Sequence, residues 1–284
     1  MSVLPASLVE GLRVTATTPV SGGDIATAYR VDTPDGPLFV KTLADPRPGM
    51  FEREAAGLRA LRATGAIGVP EVVREDRHGL VLEWIERGRP RPGTEEDLGR
   101  RLAAVHRTIG PWFGGLDADA DGYIGSQPVD LTPTDQWATF YVERRVRPLT
   151  ARAVEAGRLD PGARALVERV AERGDELCGP PEPPALLHGD LWGGNRMIDR
   201  HGGNWLIDPA TYWGHREVDL AMMRLFGGFG AGAFDAYADV HPLAVGWPDR
   251  VEWYQLVPLL VHAILFGGSY GRAAMEILVR CSRR

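Results

Sequence analysis

The sequence predicts an α+β protein of two lobes, a small β-rich one followed by a larger one built mostly of helices. Three observations carry this. The first third breaks into short strand-like runs, a stretch rich in Gly, Pro and Arg interrupts the chain at residues 86–93, and the pattern beyond it turns helical. The boundary falls at the start of that linker, which divides the chain into residues 1–85 and 86–284.

Taken in order, residues 14–19, 26–32 and 37–43 read as strands, the last two joined by Pro34-Asp35-Gly36, a hairpin signal. Residues 50–64 set Phe51, Ala55, Leu58 and Leu61 at helical spacing, and residues 69–74 and 79–85 return to strand character. Past the linker, Thr94 is the expected N-cap of a helix over 95–108, and Glu95, Glu96 and Asp97 suit its N-terminal dipole. Further helices are expected over 134–156, 161–177, 218–226, 231–240 and 251–280. A β-rich lobe ahead of a larger α-rich lobe is the outline of a protein-kinase-like fold.

Composition narrows the partners. With 44% hydrophobic and 25% charged residues, 284 residues can bury a sizeable core without staples. A net charge of −6 argues against nucleic acid or an anionic membrane as the main partner. Cys178 and Cys281 form no CxxC pattern, so neither a disulfide framework nor a zinc site follows from them. No signal-peptide pattern is visible, and the most apolar stretch, residues 256–266, is too short to span a bilayer. A cytoplasmic location is expected. Of the 32 basic residues only Lys41 is a lysine.

The segment Leu186-Leu-His-Gly-Asp-Leu-Trp-Gly-Gly-Asn195 matches the catalytic-loop pattern H-x-D-L-x-x-x-N, with Gly189 where protein kinases carry arginine. Asp208 follows, and a hairpin over 196–199 and 204–207 is expected to bring it back beside Asn195. Phosphoryl transfer from ATP needs a carboxylate for the acceptor hydroxyl, assigned to Asp190. It also needs hard oxygen ligands for Mg²⁺, assigned to Asn195 and Asp208. A phosphate-gripping ammonium on the third strand is Lys41, whose partner on the next helix is Glu54, while Glu52 points elsewhere into solvent. Between the first two strands, Gly22 and Gly23 of Ser21-Gly22-Gly23-Asp24 are expected to cover the phosphates. At the lobe junction, the carbonyl of Glu83 and the amide of Ile85 are expected to bind adenine. Asp219 is read as a brace for the catalytic loop and His106 as a packed core histidine.

These residues resemble the fructosamine kinase family. The resemblance rests on the catalytic-loop run, Ile207-Asp-Pro-Ala210, Tyr212-Trp-Gly-His-Arg-Glu-Val-Asp-Leu-Ala221, Leu225-Phe-Gly-Gly-Phe229, Phe51-Glu-Arg-Glu-Ala55 and Asp121-Gly-Tyr-Ile-Gly-Ser126. The bare HxD…N…D set is shared with aminoglycoside phosphotransferases and choline kinases. The resemblance implies ATP- and Mg²⁺-dependent phosphorylation of the 3-hydroxyl of a ketoamine, small or protein-bound, in deglycation repair or salvage. Trp192, Trp213, His215, Arg216 and Glu217 are the expected acceptor-pocket residues. The alternatives are an aminoglycoside- or choline-type kinase and, from another class, an inactive nucleotide-binding scaffold.

Overall fold

The computed structural model describes residues 4–20, 26–117 and 120–283. A short helix α1 (Ala6–Val9) precedes strands β1 (Ala16–Val20), β2 (Thr27–Thr33), β3 (Gly36–Thr42), β4 (Val72–Asp76) and β5 (Gly79–Glu83). They form one antiparallel sheet in the order β1-β2-β3-β5-β4. Because side chains alternate across a strand, β3 sends Val40 to one face and Phe39 and Lys41 to the other. Val40 joins Leu8, Tyr29, Val31 and Val81 in a small apolar cluster. Helix α2 (Met50–Ala63) buries Phe51, Glu54, Ala55, Leu58 and Leu61, spaced by three and four residues and so on one stripe. That stripe carries Glu54 to Lys41.

Helix α3 (Thr94–His106) starts one residue earlier than expected. Gly93 is the cap, in the left-handed region at φ 86°, and Thr94 instead accepts the Arg91 amide on its hydroxyl and donates to the Gly202 carbonyl. A hairpin not anticipated from sequence follows, β6 (Asp121–Ile124) and β7 (Gln127–Asp130), closed by the two-residue turn Gly125-Ser126. Its Tyr123 hydroxyl donates to the Pro48 carbonyl 2.8 Å away, at the entry to α2.

The helix expected over 134–156 begins at Trp137 as a short α4 (Trp137–Thr139), passes through a π-helix (Phe140–Val146) and resumes as α5 (Arg147–Glu155). The next is two helices, α6 (Ala163–Ala171) and α7 (Gly174–Cys178). Short strands β8 (Ala185–Leu187), β9 (Arg196–Ile198), β10 (Asn204–Leu206) and β11 (Tyr212–Gly214) then pair antiparallel, β9 with β10 and β8 with β11. Helices α8 (Glu217–Phe226) and α9 (Ala231–Val240) follow. The long terminal helix expected over 251–280 is two, α10 (Trp247–Phe266) and α11 (Tyr270–Cys281). Gly267 and Gly268, at φ 72° and 65°, stop the first.

The core of the larger lobe is aromatic. Trp137 packs tilted or stacked on Phe113, Phe140, Tyr141 and Tyr254, and the Tyr141 hydroxyl donates to the Trp253 carbonyl at 2.9 Å. A second apolar cluster crosses the expected boundary: Phe51, Leu58, Leu61 and Leu82 pack with Leu98, Leu102, Leu191, Leu206 and Leu220. Gly68 exchanges main-chain hydrogen bonds of 3.1 and 2.8 Å with Asn204 and Leu206, and a Cβ there would lie 2.6 Å from the Trp205 ring. The hairpin that ends in Asp208 is thus fixed to both halves of the chain. Cys178 and Cys281 are both buried. Among the described residues no helix is long and apolar enough to cross a membrane.

Candidate active site

The hairpin of β9 and β10 returns the chain upon itself, and the Ile207 amide donates to the Asn195 carbonyl at 3.0 Å. The Asn195 side-chain amide nitrogen lies 2.8 Å from the Asp190 carbonyl, 3.1 Å from its carboxylate and 3.4 Å from the Asp208 carbonyl. Across the cleft, Lys41 Nζ contacts Glu54 Oε2 at 2.9 Å and Asp208 Oδ1 at 3.1 Å. Five residues spread over 168 positions of sequence therefore form one contact network. Asp208 is the sole non-glycine residue with positive φ among those described, at 53°. That conformation costs little for Asp and more for most other side chains.

Burial works against the charged Lys41 amine, but Glu54 and Asp208 outweigh it and hold its pKa above the ordinary value. Burial pushes the Glu54 carboxyl up to about 7, with Lys41 pulling the other way. Burial likewise raises Asp190 to about 7, helped by the nearby Asp208 and Asp219 charges and opposed by the Asn195 hydrogen bond and Lys41. A carboxyl poised there can exchange a proton near neutral pH.

The loop that carries Asp190 is held from behind. Asp219 accepts the His188 amide at 2.7 Å and the Gly189 amide at 2.9 Å, and its Oδ2 lies 3.1 Å from His106 Nε2. His106 is fully buried, with Nδ1 2.8 Å from the Tyr237 hydroxyl. His188 Nε2 donates to the Ile207 carbonyl at 3.0 Å, tying the loop to the strand before Asp208. Gly189 sits at φ 83°, and a Cβ there would lie 2.1 Å from the Ala210 carbonyl oxygen. No side chain fits between these two backbones, so glycine at this position is a steric necessity.

One cavity joins these groups. Lys41, Glu54, Asp190, Trp192, Asn195 and Asp208 line it, with Tyr123, Val129, Leu131, Arg145, Tyr212, Val261 and Phe266 continuing the wall. Trp192 is 37% exposed and meets Phe226 edge-on at 6.4 Å. Glu83 and Ile85 lie at and just past the end of β5, outside the cavity lining; the Glu83 carboxylate accepts the Glu71 amide at 3.1 Å. Glu52 is exposed, on the other side of α2 from Glu54. Gly22 and Gly23 lie outside the described residues.

Four of the expected acceptor residues do not line this cavity. Strand β11 alternates, so Tyr212 faces the cavity and Trp213 the opposite side, where a Cβ on Gly110 would lie 2.2 Å from the Trp213 ring. His215 stacks on Tyr254 at 5.4 Å, and burial lowers its pKa to about 4. Arg216 forks onto Glu182 at 2.6 and 2.8 Å, and Glu217 is forked by Arg250 at 2.8 and 2.6 Å. These are buried supports of α8. Sequence reasoning passed over Tyr212, one residue away, and Arg145. The first depends on the pairing of β11 with β8, which the local sequence does not show. The second was hidden by an assumption of regular helix.

Comparison with known proteins places these features in a family. Residues 2–284 match the family model described as fructosamine kinase. A probable ketoamine kinase of Enterococcus faecium is 36% identical over 92% of this chain and 93% of its own. A chloroplastic protein-ribulosamine 3-kinase of Arabidopsis thaliana is 34% identical over 95% of this chain and 84% of its own. Among solved structures, a candidate fructosamine-3-kinase of Thermobifida fusca superposes with TM-score 0.91 at 41% identity, covering 100% of both chains. An aminoglycoside phosphotransferase captured with AMP-PNP and hygromycin B shares the fold at TM-score 0.65 and 15% identity, over 99% of this chain and 98% of the other.

Proposed function

Because the chain belongs to the fructosamine kinase family, we propose that it transfers the γ-phosphoryl group of ATP to the 3-hydroxyl of a ketoamine. The relatives named ketoamine kinase and protein-ribulosamine 3-kinase support that acceptor class. What supports the catalytic roles most is one contact set: Lys41 Nζ shared between Glu54 and Asp208, with Asn195 joining Asp208 to Asp190.

In this reading Asp190 accepts the proton of the acceptor hydroxyl as its oxygen attacks the γ-phosphorus, and ADP leaves. Asn195 orients Asp190 through the 3.1 Å hydrogen bond to its carboxylate. Lys41 grips phosphate oxygens with a compact charge, and Glu54 fixes its direction. Asp208 and Asn195 suit Mg²⁺. Asn195 spends its amide nitrogen on Asp190 and Asp208, which leaves the amide oxygen for a hard cation, and the Asp208 side chain is 35% exposed to the cleft. Among the described residues there is no cluster of three or more metal-ligating side chains. Magnesium keeps several waters and takes one or two carboxylates, so a smaller set suffices. When bound, the ion supplies charge neutralisation at the phosphates. We assign adenine to the main chain at Glu83 and Ile85, and the division of lobes to the segment that follows.

The test is a panel of ribuloselysine, fructoselysine, kanamycin and choline with Mg-ATP, read by ADP release and product mass, with Asp190→Asn as blank. Turnover on a ketoamine alone, lost in the blank, is the expected result. Turnover on kanamycin or choline alone overturns the acceptor assignment, and no turnover on any of the four overturns the function.

A further inference from the structure

Arg145 is 1% exposed and lines the same cavity as Asp190, Trp192 and Tyr212. Its Nη1 donates to the Asp130 carbonyl, while Nε and Nη2 have no hydrogen-bond partner among the described residues. The nearest acid does not contact it. The Asp130 carboxylate is engaged by Arg144 at 3.2 Å and by the Thr132 amide at 2.8 Å. The guanidinium carbon lies 4.7 Å from the Phe140 ring centre and 5.2 Å from that of Tyr212. Burial pulls the Arg145 pKa down to about 10, so the side chain is still a cation at neutral pH. A buried cation without an anion is costly, and buried arginines ordinarily have one.

The rest of the chain shows what this edge of a guanidinium takes. Arg216 and Arg250 each present Nε and Nη2 together to both oxygens of one carboxylate, Glu182 and Glu217 respectively, at 2.6–2.8 Å. A planar carboxylate matches the two parallel N–H bonds of that edge. Arg145 has the same pair of donors, with no carboxylate of the described residues against them.

The backbone is bent to put it there. Arg145 belongs to the π-helix Phe140–Val146 and stacks on Phe140, five residues earlier. In an α-helix of 3.6 residues per turn, residues five apart point about 140° away from each other. The wider π turn brings them onto one face, and such turns occur often at functional sites.

We propose that the Nε–Nη2 edge of Arg145 binds the carboxylate of an amino-acid ketoamine, making free glycated amino acids the preferred acceptors of this cavity over glycated side chains within a protein. The inference rests on the ketoamine kinase function proposed above. A carboxylate anchored at Arg145 holds one end of the acceptor while its sugar hydroxyl meets Asp190.

The experiment compares kcat/KM for the ketoamines of glycine and of the lysine ε-amine, each against its own carboxamide, in the wild type, Arg145→Lys and Arg145→Gln. A third arm adds a phosphate to the sugar end of each carboxamide. The wild type is expected to favour the acid of at least one pair by about 10- to 100-fold, mostly through KM. The ratio is expected to shrink in Arg145→Lys and vanish in Arg145→Gln. Because it is internal to each protein, partial loss of folded enzyme cancels, and Arg145→Lys keeps the comparison readable where Arg145→Gln does not fold. Equal rates for acid and amide in both pairs overturn the inference while leaving the kinase function standing. So does a preference that persists in Arg145→Gln, or a gain from the sugar phosphate with none from the carboxylate. No turnover of any ketoamine removes the function itself, and the inference with it.

Discussion

Lys41 Nζ lies 2.9 Å from Glu54 Oε2 and 3.1 Å from Asp208 Oδ1, so one ammonium joins the sheet, the first long helix and the hairpin of the other lobe. Its neighbours are acids that repel each other, and the amine is what lets them approach. In a chain that uses arginine at every other basic position, the site retains the compact cation. A forked guanidinium is larger and cannot present a single point of charge to both acids and a phosphate.

Replacing Lys41 with arginine is expected to lower kcat by about 100-fold, the usual scale for losing one preorganised electrostatic contact. Thermal unfolding should stay within a few degrees of wild type, since the positive charge remains between the two acids. Steady-state kinetics and a melting curve check this; full activity in Lys41→Arg would remove the argument for a compact cation.

As the proposed base Asp190 has to be ionised, and burial raises its pKa to about 7. With the base protonated below that value, kcat/KM should climb as pH rises through about 7 and level off above it. Asp190→Asn should lose roughly 10²- to 10⁴-fold in kcat, the range for a positioned general base. A pH–rate profile flat from 5 to 8 would contradict the assignment. Stability should change in the opposite direction to activity. A carboxyl whose pKa is higher folded than unfolded disfavours the native state increasingly from about pH 4 up to about 7. Asp190→Asn should therefore melt above wild type at pH 8, with the gap closing by pH 4.

Gly189→Ala should fail by sterics. The new Cβ would sit 2.1 Å from the Ala210 oxygen at φ 83°, so either the catalytic loop or the strand after Asp208 must move. The backbone conformation alone costs about 1–2 kcal/mol, and the clash adds to it. Urea unfolding should show a loss beyond that figure and kcat should fall with it. Wild-type stability in this variant would be incompatible with the described approach.

Asp219 is held below the usual carboxylate range by the His106 and His188 side chains and the Gly189 amide, against the effect of its own burial. A depressed folded pKa means its stabilisation is present above about pH 4 and lost as pH falls through the folded value. Asp219→Asn presents at best one acceptor where two amides donate, a cost of about 1–3 kcal/mol at neutral pH. Denaturant melts should show that difference at pH 7 and a narrowing gap toward pH 3. A constant gap would mean the charge is not what matters.

Glu217 is fully buried against Arg250 and off the cavity. Removing one partner of a buried pair leaves the other uncompensated, at about 3–5 kcal/mol. Glu217→Ala should therefore lose stability by roughly that amount while the KM for acceptor, measured on the folded fraction, stays near wild type. An acceptor KM raised tenfold with unchanged stability would return Glu217 to the binding pocket.

Local sequence patterns account for the strand runs of the first third, the first long helix, the loop of Asp190, and the pairings of Lys41 with Glu54 and of Asn195 with Asp208. Each rests on local spacing: a two-residue period puts Lys41 opposite Val40, a three-residue step puts Glu54 beside Phe51, and a four-residue turn after Asp199 returns Asp208 to Asn195. The tertiary structure decided what lies opposite the reactive carboxylate. Whether Tyr212 or Trp213 faces the cavity depends on how β11 pairs with β8. Arg145 reaches the wall only because a helix widens to a π turn, and His215, Arg216 and Glu217 turn away because Glu182 and Arg250 come from distant parts of the chain to meet two of them. Those contacts are long-range packing choices, and neighbouring residues carry little record of them.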